Sequence, residues 1–86
     1  MYSLSYNGRA LKKLKKIHPL DQKKVLSKLK LLVTNPTEPS LDIKKLENAK
    51  RSFRLRVGNV RVIFEIENKT RSIYIMDVNY RGSIGY

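Results

Sequence analysis

From Arg51 onward the apolar residues of this chain recur at every second position. Phe53, Leu55 and Val57 alternate with Ser52, Arg54 and Arg56, and after Gly58-Asn59 the alternation resumes with Val60, Val62, Phe64 and Ile66. A period of two belongs to a strand with one buried face. Gly-Asn between two such runs is the signal for a two-residue hairpin loop. The pattern also predicts a register. With a two-residue loop Val57 pairs with Val60, so Arg56 stands directly opposite Arg61, and Arg54 lies diagonally beside them on the same face.

Like charges placed directly opposite each other destabilise a sheet. Two readings of the arginines stay open on this pattern. In one they are solvated and partly neutralised by Glu65, further along the same face. In the other an anion sits among them and removes the conflict, because the planar guanidinium fork suits phosphate.

The rest of the chain reads around this hairpin. Tyr2, Leu4 and Tyr6 alternate with Ser3 and Ser5, a short strand, and Asn7 is placed to cap a following helix. Ala10, Leu11, Leu14 and Ile17 recur at helical spacing, with Lys12, Lys13, Lys15 and Lys16 turned outward. His18-Pro19 ends that helix and starts another, whose stripe is Val25, Leu26, Leu29, Leu32 and Val33 and which stops at Asn35-Pro36. The short link predicts an antiparallel helical hairpin. Residues 36–50, with Pro36 and Pro39, read as a loop. Asn68–Arg71 is a turn, and Ile73–Val78 a third strand of the final sheet. The expectation is one α+β domain over residues 1–86 in the order β-α-α-β-β-β. Its helical hairpin packs on one face of a mostly antiparallel sheet.

Composition narrows the function. The 86 residues carry 19 Lys and Arg against seven Asp and Glu, a formal charge of +12, with 41% apolar residues. That is enough apolar content for a core and enough charge to draw anions. There is no Cys and one His, His18, so no disulfide frame or thiolate metal site is expected, and any nucleophile–His–acid triad would lean on His18 alone. No run approaches a membrane span, no signal peptide is visible, and no Gly-rich phosphate loop occurs. The expected location is the cytoplasm, with no cofactor, no metal and no membrane partner.

The cations segregate by type. Eleven of the twelve Lys precede Arg51, while six of the seven Arg lie from Arg51 onward. The helical Lys read chiefly as a solvated face. The Arg set reads as a phosphate-binding face of Arg54, Arg56 and Arg61, which Arg81 can join from beyond the third strand. Lys44 and Lys45, in the loop before the sheet, and Tyr80, after the third strand, are further candidates for RNA or phosphate contact. Tyr80 also reads as an aromatic anchor for the C-terminal segment. Tyr86 can stack on a base or move a proton at a reacting oxygen. Several cations and a Tyr suit cleavage of RNA by its own 2′-hydroxyl, which DNA lacks.

The run DIKKLENAKRSFRLRVGNVRVIFEIENKTRSIYIMDVNYRG resembles the core of the RelE/ParE superfamily of bacterial and archaeal toxins. The Lys-Lys-Leu, the Phe-Arg-Leu-Arg-Val-Gly-Asn-Val-Arg-Val-Ile-Phe-Glu hairpin and the closing Tyr-Arg-Gly carry the resemblance, and the element order extends it over essentially the whole chain. It implies a type II toxin that cuts mRNA in the ribosomal A site and is blocked by an acidic, RelB-like antitoxin. Carried over by residue, it implies phosphate contact for Arg54 and Arg56, stabilisation of the scissile phosphate by Arg61, a supporting Arg81, and proton transfer or stacking by Tyr86. Two alternatives remain: a ParE-like inhibitor of DNA gyrase without nuclease activity, and a non-catalytic basic module that binds nucleic acid.

Overall fold

The structure is a computed structural model and describes residues 1–47 and 50–80. Its elements are β1 (Ser3–Tyr6), α1 (Gly8–Lys16), α2 (Pro19–Thr34), β2 (Asp42–Lys45), β3 (Ser52–Val57), β4 (Val60–Glu67) and β5 (Ser72–Tyr80). The strands form one sheet in the order β1-β5-β4-β3-β2. β1 pairs parallel with β5, and the other neighbours are antiparallel.

Local chemistry sets the helix ends. The Asn7 side chain accepts from the Arg9 N–H at 2.9 Å, which caps α1. His18 Nδ1 accepts from the Leu20 N–H at 3.2 Å at the start of α2, with Pro19 in the first turn, where its missing N–H costs nothing. The Asn35 N–H closes α2 onto the Leu31 carbonyl. At the β3–β4 turn Gly58 has φ 58°, fitting glycine at the first central position of a type II′ turn. A Cβ there would meet nothing within 4 Å, so backbone conformation rather than crowding calls for glycine.

One core joins the helices to one face of the sheet. Ala10, Leu14 and Ile17 of the first helical segment and Val25, Leu29 and Leu32 of α2 are buried against Leu55, Val57, Val60, Val62, Phe64, Ile73, Ile75 and Val78. Phe53 stacks on Phe64 at 5.7 Å between ring centroids. Phe64 is fully buried, so its truncation to Ala would cost about 3–5 kcal/mol. Leu26 departs from the expected stripe. It follows the fully buried Val25 by one residue, about 100° around the helix, and is 47% exposed.

The α+β class and its element order match expectation, with one correction. The segment expected as a loop over residues 36–50 contains β2, which pairs Ile43 with Leu55 and Lys44 with Arg54. Four mostly polar residues carry too weak an alternation to announce a strand. β2 exists because β3 offers it an unpaired edge, and backbone donors and acceptors on such an edge need partners.

A candidate phosphate-binding face

The face of the sheet away from the core holds the alternate residues of the hairpin. The register is the one the two-residue loop predicts: Val57 pairs with Val60 and Arg56 with Arg61. Arg54, two residues before Arg56, shares that face and stands opposite Ile63. β2 adds Lys44 directly beside Arg54, and Asp42 directly beside Arg56. On the other flank Asn79 of β5 stands opposite Arg61. Four cations from three strands thus share one surface.

Asp42 is the counter-charge, and it was not legible as such. Its Oδ1 accepts from Arg54 Nη2 at 3.2 Å, and its Oδ2 lies 3.8 Å from Arg56 Nε. Glu65, expected to relieve the arginines, instead pairs across the sheet with Ser52 and Tyr74 and makes no ion pair among the described residues. The reason is geometric: Glu65 is four residues from Arg61 along β4, about 13 Å at a strand's rise, while Asp42 is directly across from Arg56.

One carboxylate does not satisfy this set. Arg54 is only 15% exposed in its side chain, yet Asp42 is 53% exposed, so the attraction is weakened by solvent. The Nε–H groups of Arg54, Arg56 and Arg61 are all buried without a hydrogen-bond partner among the described residues. A buried polar donor left without a partner costs about 1–3 kcal/mol, more when charged. Three of them on neighbouring positions make a surface that is poorly satisfied by the described residues and complementary to an oxyanion.

A second polar cluster borders the face. Lys13 of α1, expected to be solvated, donates from Nζ to Asp77 Oδ1 and Asn79 Oδ1, each at 2.9 Å. Asn79 Nδ2 donates to Asp77 Oδ2 at 2.7 Å, and the Val78 N–H reaches Asp77 Oδ1 at 3.0 Å. Asp77 lies at a bulge: Ile63 pairs with Asp77 and Phe64 with Ile75, leaving Met76 as the extra residue. Burial pushes the Asp77 carboxyl upward, but Lys13, Asn79 and the Val78 N–H together outweigh it and hold it below the ordinary carboxylate range. This clamp ties α1 to the strand that carries Asn79 beside Arg61.

The other expected site residues separate. Lys45 pairs with Phe53 and so belongs to the opposite face of β2 from Lys44. Tyr80, a candidate both for RNA contact and for anchoring the C-terminal segment, sits as an anchor. Its ring packs against the core, its hydroxyl accepts from the His18 N–H at 2.9 Å, and it donates to Asp21 Oδ2 at 2.8 Å. Those bonds hold the end of β5 to the α1–α2 link. Arg81 and Tyr86 lie outside the described residues.

Comparison with known proteins gives a consistent outcome. Residues 4–84 match the family described as the ParE toxin of the type II toxin-antitoxin system parDE. The chain is 31% identical over 81 residues to a protein of Methanocaldococcus jannaschii named as the toxin RelE1, an alignment covering 93% of this chain and 90% of that one. It is similar in structure to the RelE–RelB complex of Pyrococcus horikoshii, with a TM-score of 0.82, 25% identity, and 94% and 96% of the two chains covered. The RelB–RelE complex of Methanococcus jannaschii follows at a TM-score of 0.77, 27% identity, and 93% of each chain. Isolated RelE of E. coli shares the fold at a TM-score of 0.79 and 17% identity, over 93% and 84% of the chains.

Proposed function

This chain belongs to the ParE toxin family of type II toxin–antitoxin systems, within the RelE/ParE superfamily, and from that premise we propose that it is a ribosome-dependent mRNA interferase. The observation that carries the reading is the arginine face: Arg56 opposite Arg61, Arg54 beside them, and three buried Nε–H groups without a hydrogen-bond partner among the described residues.

The proposed reaction takes its nucleophile from the RNA itself. The 2′ oxygen attacks the adjacent phosphorus, the bond from phosphorus to the 5′ oxygen breaks, and a 2′,3′-cyclic phosphate and a 5′-hydroxyl result. The 2′ proton leaves to a base and the 5′ oxygen takes up a proton. Arg54, Arg56 and Arg61 supply positive charge where negative charge gathers on the phosphate oxygens, and Lys44 adds to the field that draws the RNA in. Arginine does not give up its proton at neutral pH, so its part is electrostatic. The family resemblance assigns proton transfer or stacking to Tyr86 and further phosphate contact to Arg81. A site of this kind is weak by itself, and the ribosomal A site would hold the message in the reactive pose.

The named relatives occur as RelE–RelB complexes. By the same likeness this chain is proposed to be held inactive in the cytoplasm by a cognate acidic antitoxin of the RelB kind. The test is purified protein added to programmed ribosomes, with the message mapped by primer extension. A-site cuts that vanish in Arg61→Ala and Arg81→Ala are expected; no cuts, or cuts undiminished in those variants, would sink the reading.

A second reading rests on the matched family, whose description is of ParE toxins. A ParE-like protein would inhibit DNA gyrase supercoiling and cut no RNA. The arginine set favours the first reading, because ParE-like members generally lack it.

A further inference from the structure

We infer that the sheet face beyond the arginines is a nucleobase subsite: a base of single-stranded RNA lies against Ile63, Met76 and Tyr74, and Glu65 reads its Watson–Crick edge, with guanine as the base that fits. β4 continues past Arg61 on this face through Ile63, Glu65 and Glu67, and Tyr74 of β5 stands directly opposite Glu65. Met76 alternates with the buried Ile75 as Tyr74 does, and the two are 38% and 37% exposed. Tyr74 makes no hydrogen bond or ring contact among the described residues. A shallow hollow of about 200 Å³ opens beside Glu65 and Tyr74, lined also by Arg51, Glu67 and Ser72.

The carboxylates of this face point to Glu65. Asp42 has Arg54 and Arg56, Asp77 has Lys13, and Glu67 has Arg51. Among the described residues Glu65 has no cation, although the chain carries a formal charge of +12. Its charge repels a phosphate and an acidic peptide alike, so the ligand at this end of the face is one that offers N–H donors. Guanine offers two side by side, N1–H and the N2 amino group, which match the two oxygens of one carboxylate. Cytosine and adenine each offer one amino group with a ring acceptor next to it. Uracil offers N3–H between two carbonyls that a carboxylate repels. The apolar and aromatic surface beside Glu65 supplies what the flat face of an unpaired base needs.

Continuity with the arginines is the second argument. Ile63 stands between Arg54 on β3 and Asp77 on β5, directly next to the phosphate-binding face. From Arg61 to Glu65 is about 13 Å along β4, comparable to one nucleotide from its phosphate to the far edge of its base. A phosphate held by Arg54 and Arg61 therefore brings a base over Ile63 and its edge toward Glu65. The inference rests on the proposed function for its choice of RNA.

The test uses the full chain and 2′-O-methyl RNA oligomers, which cannot cleave themselves, in fluorescence anisotropy. One oligomer is all uridine, and the others carry a single guanosine, adenosine or cytidine at the same central position. The native chain should bind the guanosine oligomer about five- to tenfold more tightly than the all-uridine one, with adenosine and cytidine below guanosine. Glu65→Gln should reduce that preference to about twofold or less without weakening the all-uridine oligomer, because losing a carboxylate does not reduce attraction for phosphate. Tyr74→Ala should weaken the guanosine oligomer about fivefold or more, and Tyr74→Phe should hold it within about twofold of native.

A native chain that binds all the oligomers alike, a guanosine preference that survives Glu65→Gln, or indifference to Tyr74→Ala would overturn the inference. Ribosome assays separate this outcome from the enzymatic reading. A Glu65-dependent guanosine preference on a chain that makes no A-site cuts leaves the subsite standing and removes the interferase. A-site cuts distributed over codons identically in the native chain and in Glu65→Gln do the reverse.

Discussion

Asp42 Oδ1 accepts a hydrogen bond from Arg54 at 3.2 Å while its Oδ2 lies 3.8 Å from Arg56. Among the described residues, a single carboxylate on the edge strand is thus the anion that accompanies the arginines. It occupies the direction from which a phosphate would be drawn, and it is half-exposed, so it can be displaced.

Asp42→Asn should therefore bind RNA more tightly, about three- to tenfold at low salt, with the gain shrinking as salt rises. Stability should change by under about 1 kcal/mol, as for other exposed ion pairs. Anisotropy titrations with oligouridylate at two salt concentrations check this. A fall in affinity would mean that Asp42 orients the guanidinium groups rather than competing for them.

Arg61→Thr should separate stability from activity. It removes the directly opposed like charge at Arg56 and substitutes a good strand former, so thermal unfolding should show the variant as stable as the native chain or stabilised by about 0.3–1 kcal/mol. In the ribosome assay the same variant should lose roughly a hundredfold or more in cleavage rate, the scale for removing one preorganised charge donor. A destabilised Arg61→Thr would show that the arginine pair supports the sheet.

Tyr80→Phe keeps the ring and deletes the hydroxyl that joins the His18 N–H and Asp21. The expected cost is about 1–2 kcal/mol in denaturant unfolding, because two polar groups lose a partner. Oligouridylate affinity should stay within about twofold, since this hydroxyl serves the α1–α2 link. Reduced RNA affinity at unchanged stability would restore the nucleic-acid role for Tyr80.

Asp77 predicts the acid limb of stability. Its folded pKa lies below the ordinary carboxylate value, since Lys13, Asn79 and the Val78 N–H outweigh the effect of burial. A depressed folded pKa stabilises the protein fully above the unfolded value, about 3.9, and that contribution is lost as pH falls through the folded pKa. Melting temperatures recorded from neutral pH down to about pH 3 should fall less steeply in Asp77→Asn than in the native chain. Parallel curves would mean that the Lys13–Asp77 pair contributes nothing to stability.

The arginine face was legible because its determinants are local. Strand period and turn length involve neighbours a few residues apart, and together they place Arg54, Arg56 and Arg61 on one surface and set Arg56 against Arg61. The helix cap at Asn7 and the helix break at His18-Pro19 were legible for the same reason. Asp42 was not, because the only sign of β2 is its pairing with β3, and a short polar segment after Pro36 and Pro39 carries no alternation that points to it. Lys44 and Lys45 looked equivalent until that pairing put them on opposite faces.

By itself, then, the sequence determined the α+β order, the hairpin register and the segregation of arginine onto one sheet face. Each follows from periodicity, from a two-residue loop and from burial of the apolar face. The tertiary structure decided which anion accompanies the arginines and what Tyr80 does. The bond from Asp42 to Arg54 spans 12 residues, and those from Tyr80 to Asp21 and His18 span 59 and 62. Such contacts form only when the packed core brings separate elements together, and no local pattern encodes which partner each will meet.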